Sequence, residues 1–274
     1  MLPGAKGSGL IYATGACGGT CVLSYPGGEL VGSLDVGDAG ACADKVGNVF
    51  IANDSNLYEY SHGGTSPIAT LSVSEGAIGG CSVDPTTGDI AVTVEQSNSY
   101  NAAVFPSGSG SPATYVIADL DVQFCGYDNE GNLFVDGYGN DTALYELPKG
   151  GSEFTNISLG SPISDTRPGQ VQWDGSYLTI EGLGVVHGVV VYRLTVTGSN
   201  ATVVGTTTFK GVTRNALQSW IVNNRIFIPY GSRGSGSNKT KIGVWKYPAG
   251  GKAVQIVKGF VKRPDIQGIA FSAS

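Results

Sequence analysis

A chain of 274 residues can hold one large all-β domain or two ordinary domains. Its 43 glycines show no collagen period and only 14% of residues are charged, which suits many short strands joined by tight turns. A net charge of −6 without a basic cluster argues against nucleic acid as a partner, and no apolar run is long enough to span a bilayer.

Taken in order, Met1–Gly9 lacks the apolar core of a signal peptide, so a signal is either absent or already removed. Strands are expected at Gly9–Ala13, Cys21–Tyr25 and Leu30–Leu34, a unit that lacks its opening strand. The next unit is complete, with Ala41–Asp44, Val49–Ala52, Asn56–Tyr60 and Ile68–Leu71. A third runs through Cys81–Asp84, Ile90–Val94, Ala102–Phe105 and Thr114–Ile117. The fourth is the clearest: Cys125–Gly151, CGYDNEGNLFVDGYGNDTALYELPKGG, closed by Phe154–Leu159. Val171–Asp174, Tyr177–Ile180, Gly188–Leu194 and Ala201–Thr208 make a fifth; Leu217–Val222, Arg225–Pro229, Ile242–Tyr247 and Ala253–Val257 make a sixth. Ile266–Ser272 is left over, a single strand that looks like the start of a unit.

Two features recur in register. One is an apolar strand ending in Asp, then a turn with Gly and Asn or Asp: Asp44/Gly47-Asn48, Asp84/Gly88-Asp89, Asp128/Gly131-Asn132 and the shorter Asp174-Gly175. Gly and Asn tolerate the positive φ that tight hairpins need. The other is an aromatic or Leu before a glycine turn, as in Tyr25-Pro26-Gly27-Gly28, Leu147-Pro148-Lys149-Gly150-Gly151 and Tyr247-Pro248-Ala249-Gly250-Gly251. Their spacing falls near forty residues, the period of a propeller blade.

No such unit has a core of its own, so it must stack on its copies. The expected architecture is all-β, a six-bladed β-propeller of four-stranded blades forming a single domain over 1–274. Its blades lie at about 41–72, 79–118, 123–160, 169–209, 216–258, and 266–273 joined to 9–35. The C-terminal strand then completes the N-terminal blade and removes the open sheet edges. A parallel β-helix has shorter repeats without hairpin turns, and two stacked sandwiches are less economical.

DxxGN followed by an apolar strand, repeated in this way, resembles six-bladed propellers of the NHL and gluconolactonase-like type. GGCSVDPTTGDIAV, FCGYDNEGNLFVDG and VWKYPAGG also resemble a set of bacterial propeller proteins, most of them predicted to be exported. That resemblance covers nearly the whole chain and implies no particular activity. With low charge and abundant Ser, Thr, Gly and Asn, it implies an extracellular or periplasmic location. Cys17 and Cys21, separated by Gly18-Gly19 and Thr20, form either a tight local bridge in an oxidising compartment or two free loop thiols.

Propeller geometry sorts the polar residues, because ligand sites usually occupy the channel mouth where loops converge. His187 is the histidine expected near that mouth, and Glu181, Glu95, Asp136 and Asp141 occupy comparable loops; His187 with Glu181 is the candidate acid–base pair. His62, in a Gly-Gly turn on the far face, reads as a solvated turn residue. Gln123, Gln170, Gln218 and Gln267 fall at the starts of inner strands and, if they face the channel, form an uncharged ring suited to a polyhydroxy ligand or to ordered water. Tyr100, Tyr138, Tyr230 and Trp220 are candidate stacking surfaces, and Arg167, Arg214 and Arg263 candidate contacts for an anion.

Asp44, Asp84 and Asp128 suggest a metal at first sight, but an Asp before a turn more simply accepts the turn's own N–H groups. A zinc site lacks ligand spacing, and the glutamines at the inner-strand starts are poor substitutes for the carboxylates with which gluconolactonase-like propellers hold a divalent cation. No metal or cofactor is therefore expected, and no GxSxG elbow is present. The reading that follows is an exported or cell-surface binding propeller, expected to be monomeric, that takes a small polar or carbohydrate ligand, or a peptide, on its loop face. A hydrolase or lyase using His187 and a loop carboxylate is the second reading, and a purely structural propeller the third.

Overall fold

The computed structural model describes residues 9–160, 163, 166–184, 188–212, 218–230, 240–258 and 266–273. The chain forms six antiparallel sheets arranged in a ring, each led by an inner strand. Blade 1 is Ala41–Ala43, Val49–Asn53, Asn56–Tyr60 and Ala69–Ser72. Blade 2 is Ala77–Val83, Ile90–Glu95, Ala102–Phe105 and Ala113–Tyr115, and blade 3 is Asp121–Tyr127, Leu133–Tyr138, Thr142–Leu147 and Thr155–Ile157. Blade 4 comprises Arg167–Trp173, Leu178–Gly184, Gly188–Thr197 and Asn200–Lys210, and carries a fifth, two-residue strand, Gly251–Lys252, paired parallel to its outer edge. Blade 5 is Trp220–Val222, Arg225–Tyr230, Lys241–Lys246 and Gln255–Val257.

Blade 6 joins the two ends of the chain. Its inner strand, Ile269–Ser272, pairs antiparallel with Gly9–Ala16, and Gly19–Tyr25 and Leu30–Leu34 complete it. Closure of the ring by the C-terminal strand, expected from the lone Ile266–Ser272 segment, is therefore observed.

The core is divided among the six seams. Period-two alternation sends one set of side chains toward the preceding blade and the other toward the next. In blade 1, Ala41, Val49 and Ile51 pack on Leu10 and Tyr12 of blade 6, while Cys42, Phe50 and Ala52 pack on Ile90, Val92 and Phe105 of blade 2. Four further clusters fill the remaining seams in the same way. No blade could bury its faces alone.

The repeated aspartates do what their position suggests. Asp44 Oδ1 accepts the N–H groups of Val46 and Asn48, Asp128 Oδ1 those of Glu130 and Asn132, and Asp174 Oδ1 those of Ser176 and Tyr177. Asp84 accepts from Thr86 N–H and from the Thr86 and Thr87 hydroxyls, and these bonds hold its carboxyl below the usual range despite partial burial. Gly47 and Gly131 sit at φ of 93° and 90° in these turns, where an L side chain would be strained.

Two details depart from expectation. His62 is not a solvated turn residue: it is half-buried, and its Nδ1 lies 2.6 Å from Ser272 Oγ of the closing strand. The cysteines form two bridges, Cys17–Cys21 and an unexpected Cys42–Cys81, with Cys125 buried as a free thiol. Cys42–Cys81 ties the inner strands of blades 1 and 2 across 39 residues, with Cα atoms 5.7 Å apart. Among the described residues no helix is long and apolar enough to cross a membrane.

Candidate functional site at the channel mouth

The inner strands begin on one face of the ring, and there the wall opens into a cavity of about 240 Å³. Asp38, Gly40, Asp54, Gly79, Glu95, Gln123, Phe124 and Gln267 belong to its lining. Asp38 precedes the blade 1 inner strand, while Asp54 and Glu95 stand at the ends of second strands, so the mouth is rich in hydrogen-bond acceptors. Burial, and then the nearby Asp121, raise the Glu95 carboxyl above its ordinary value.

Gln218, fully buried, links three inner strands. Its Oε1 accepts the N–H groups of Ala41 and Ile269, each at 3.0 Å, and its Nε2 donates to the Ala41 carbonyl at 2.7 Å. One amide from blade 5 thus engages the inner strands of blades 1 and 6. Gly268 leaves it room, since a Cβ there would fall 2.6 Å from Gln218 Oε1 and 2.8 Å from the Ala39 carbonyl. Two residues on, Trp220 packs against the clusters of the seams between blades 5 and 6, 6 and 1, and 1 and 2. It lines a larger cavity of about 660 Å³ at the opposite, turn-bearing face, together with Phe50, Val83, Ile90, Ile221 and Phe271. The two cavities share no lining residue.

The glutamines therefore do not form a ring. Gln123 and Gln267 line the mouth, Gln218 is buried and bonded to main chain, and Gln170 turns into the wall, its Nε2 donating to Val171 O at 2.7 Å. Register explains the split. Inner strands 2, 3 and 4 each bulge, so Gln123 stands two residues before Cys125 whereas Gln170 stands one before Val171, its counterpart.

The aromatic candidates separate too. Trp220 belongs to the opposite opening, and Tyr230 packs on Trp245 within blade 5. Tyr100 is buried, its hydroxyl accepting the N–H groups of Ser74 and Glu75. Tyr138 is half-buried at the end of a second strand, near Arg167 and Asp121. His187, Arg214 and Arg263 lie outside the described residues.

Glu181 is 1% exposed and stands in the wall between blades 4 and 5, not in a loop. Burial pushes its carboxyl up to about 8; Ser219 lies close enough to pull it down somewhat, yet neither carboxylate oxygen makes a well-formed hydrogen bond. Asp136, one blade earlier, is fully buried, and burial together with the neighbouring Glu181 raises its carboxyl far above the ordinary value. Among the described residues no three His, Cys, Asp or Glu side chains converge as ligands for a metal ion.

Sequence reasoning missed Asp38 and Asp54 at the mouth, and Gln172 at the opposite cavity, where its amide pairs with both main-chain groups of Ile221 at 2.8 and 2.9 Å. Asp54 could have been found: it follows a second strand, where loops open on the mouth face.

No protein-family model matches the chain, and no curated protein matches it in sequence. Solved structures do. A protein of unknown function from Bacteroides caccae is 13% identical with a TM-score of 0.73, over 97% of this chain and 100% of that one. A chain of a nidogen/laminin complex is 14% identical with a TM-score of 0.73, over 97% and 98%. A putative TolB from Agrobacterium tumefaciens is 12% identical with a TM-score of 0.60, over 95% and 92%. The shared property is the fold. The chain is a six-bladed β-propeller. Such a ring suits binding and interaction, with loops of several blades converging on one opening.

Proposed function

We propose that the chain, as one propeller domain over 1–274 of the NHL-like type that its DxxGN turns resemble, is an exported or cell-surface binding module. Its ligand is a small polar molecule, a sugar unit by preference, taken at the loop-face mouth. The observation that carries this reading is the cavity of about 240 Å³ at the mouth, which is small and rich in acceptors. Gln123, Gln267, Asp38, Asp54 and Glu95 offer amide and carboxylate groups that match several hydroxyl donors at once. Two disulfides support an oxidising compartment. The structural likeness to a chain of the nidogen/laminin complex supports an interaction role for such a ring.

The hydrolase reading pairs His187 with a loop carboxylate, and the burial of Glu181 in the wall favours binding over catalysis. Calorimetric titration with a panel of mono- and disaccharides tests the proposal. One member should bind the wild type, and Asp54→Asn with Glu95→Gln should weaken it about tenfold, the loss expected for one or two charge-assisted hydrogen bonds. Binding by no member of the panel, or binding that ignores the mouth variants and responds to Trp220→Ala, would contradict it.

A further inference from the structure

The channel wall carries a repeating link between blades. Val92, Val135 and Ile180 pair with Cys81, Cys125 and Val171 of their own inner strands. The residues that follow them, Thr93, Asp136 and Glu181, therefore occupy one position in three successive blades. Thr93 shows what that position does. Its Oγ1 accepts the Gly80 N–H freed by the inner-strand bulge, at 2.8 Å, and donates to the Gln123 carbonyl of the next blade, at 3.0 Å. Thr14 of blade 6 makes the same outward bond, donating to the Ala39 carbonyl of blade 1. Ala39 stands two residues before Ala41, as Gln123 stands two before Cys125.

Asp136 makes the first half of this link, its Oδ1 accepting the Phe124 N–H at 2.9 Å. Its Oδ2 is buried with no partner, and neither oxygen of Glu181 makes a well-formed hydrogen bond. Across the seam Gly169 stands two residues before Val171, the place that Gln123 holds before Cys125, and the Ser219 hydroxyl lies beside Glu181. An ionised carboxylate has only acceptors and gains nothing from a carbonyl, and burying it without donors is costly. A protonated one has the same donor and acceptor as threonine.

We propose that Asp136 and Glu181 are carried in the folded ring as neutral carboxylic acids, each donating its O–H to the main chain of the next blade as Thr93 does. Blades 3, 4 and 5 are then latched by two protons, and alkaline solution releases the latch. The titratable groups that face the pair are the two acids themselves and the Cys125 thiol, which burial and Asp136 both push up. Tyr138, raised by burial, is the next group along the strand, with Arg167 and Asp121 beyond it. Among the described residues the only ion pair is Arg193–Asp174, so no described cation neutralises either acid.

The sign follows from linkage. A carboxyl that holds its proton more tightly when folded gives stability that is complete below the ordinary value of 4.5 and is lost as pH rises toward about 8 for Glu181. The melting temperature of the intact protein is measured from about pH 5 to about pH 9, for the wild type, Asp136→Asn and Glu181→Gln, with and without a chelator. The wild type should melt at progressively lower temperature as pH rises, and each amide variant should flatten that slope. A wild-type melting temperature that is constant or rises over this range overturns the proposal, whether or not the variants fold. So does a stoichiometric cation whose removal lowers the melting temperature, because a metal would then take the place of the protons.

Discussion

Between blades 1 and 2 the wall position beside the channel is Ala52, which has no polar group to offer, and the seam is closed by the Cys42–Cys81 bridge. Between blades 3 and 4 the same position is Asp136, and the wall there carries a carboxyl with one unpartnered oxygen. Between blades 2 and 3 it is Thr93, whose hydroxyl satisfies both sides. One geometric problem, joining neighbouring inner strands beside the channel, is thus met by a covalent bond, a hydroxyl or a carboxyl. The first is independent of pH, the second nearly so, and the third titrates. Blades 6 and 1 share the hydroxyl solution through Thr14, and the Gln218 amide of blade 5 adds a further link that reaches the inner strands of both.

Removing the covalent link should have the largest effect. Cys42→Ala with Cys81→Ala is expected to destabilise by about 4 kcal/mol, from the freedom returned to the unfolded chain by opening a loop of this length. Urea denaturation of the variant and the wild type measures it. Gln218→Leu comes next, because it leaves Ala41 N–H, Ala41 C=O and Ile269 N–H without their partner. At about 1 kcal/mol for each hydrogen bond the loss is roughly 3 kcal/mol, and it should show in the same denaturation series.

The smallest effect is a gain. Ser82 stands in blade 2 where Cys42 stands in blade 1, and Cys125 stands in blade 3 where Cys81 stands in blade 2. Their side chains already face one another across the seam: Ser82 Oγ accepts the Tyr127 N–H at 3.1 Å, and Cys125 Sγ lies 3.7 Å from Ala91 O. Ser82→Cys should therefore form a second inter-blade bridge and stabilise by about 2 kcal/mol. Thiol titration of the denatured, unreduced protein checks it directly, since the one free thiol should disappear. If that thiol remains, the equivalence of the two seams is wrong.

The ring was legible because its signals are local. Asp44, Asp84, Asp128 and Asp174 each close their own turn, and Tyr25, Leu147 and Tyr247 each precede a glycine turn, so spacing alone counted the blades. The wall was less legible, because it depends on bulges. A bulge sets two residues opposite one and shifts the alternation beyond it, so Gln123 and Gln170, which looked aligned, differ by one place and end at the mouth and in the wall, while Gln218 bonds the main chain of blades 1 and 6. Glu181 and Asp136 read as loop carboxylates because the second strands were expected to end one residue earlier, at Ile180 and Val135, whereas both residues belong to second strands and are buried. Cys42–Cys81 was hidden by a parity difference: the two residues lie on opposite faces of adjacent inner strands, which is what turns them toward each other.

The most direct test is the infrared spectrum of the folded protein at neutral pH in heavy water. Two buried neutral acids predict a carbonyl band of protonated carboxyl that weakens by half in Asp136→Asn or in Glu181→Gln and vanishes when both are changed. A spectrum at neutral pH with carboxylate bands alone would contradict the proton latch.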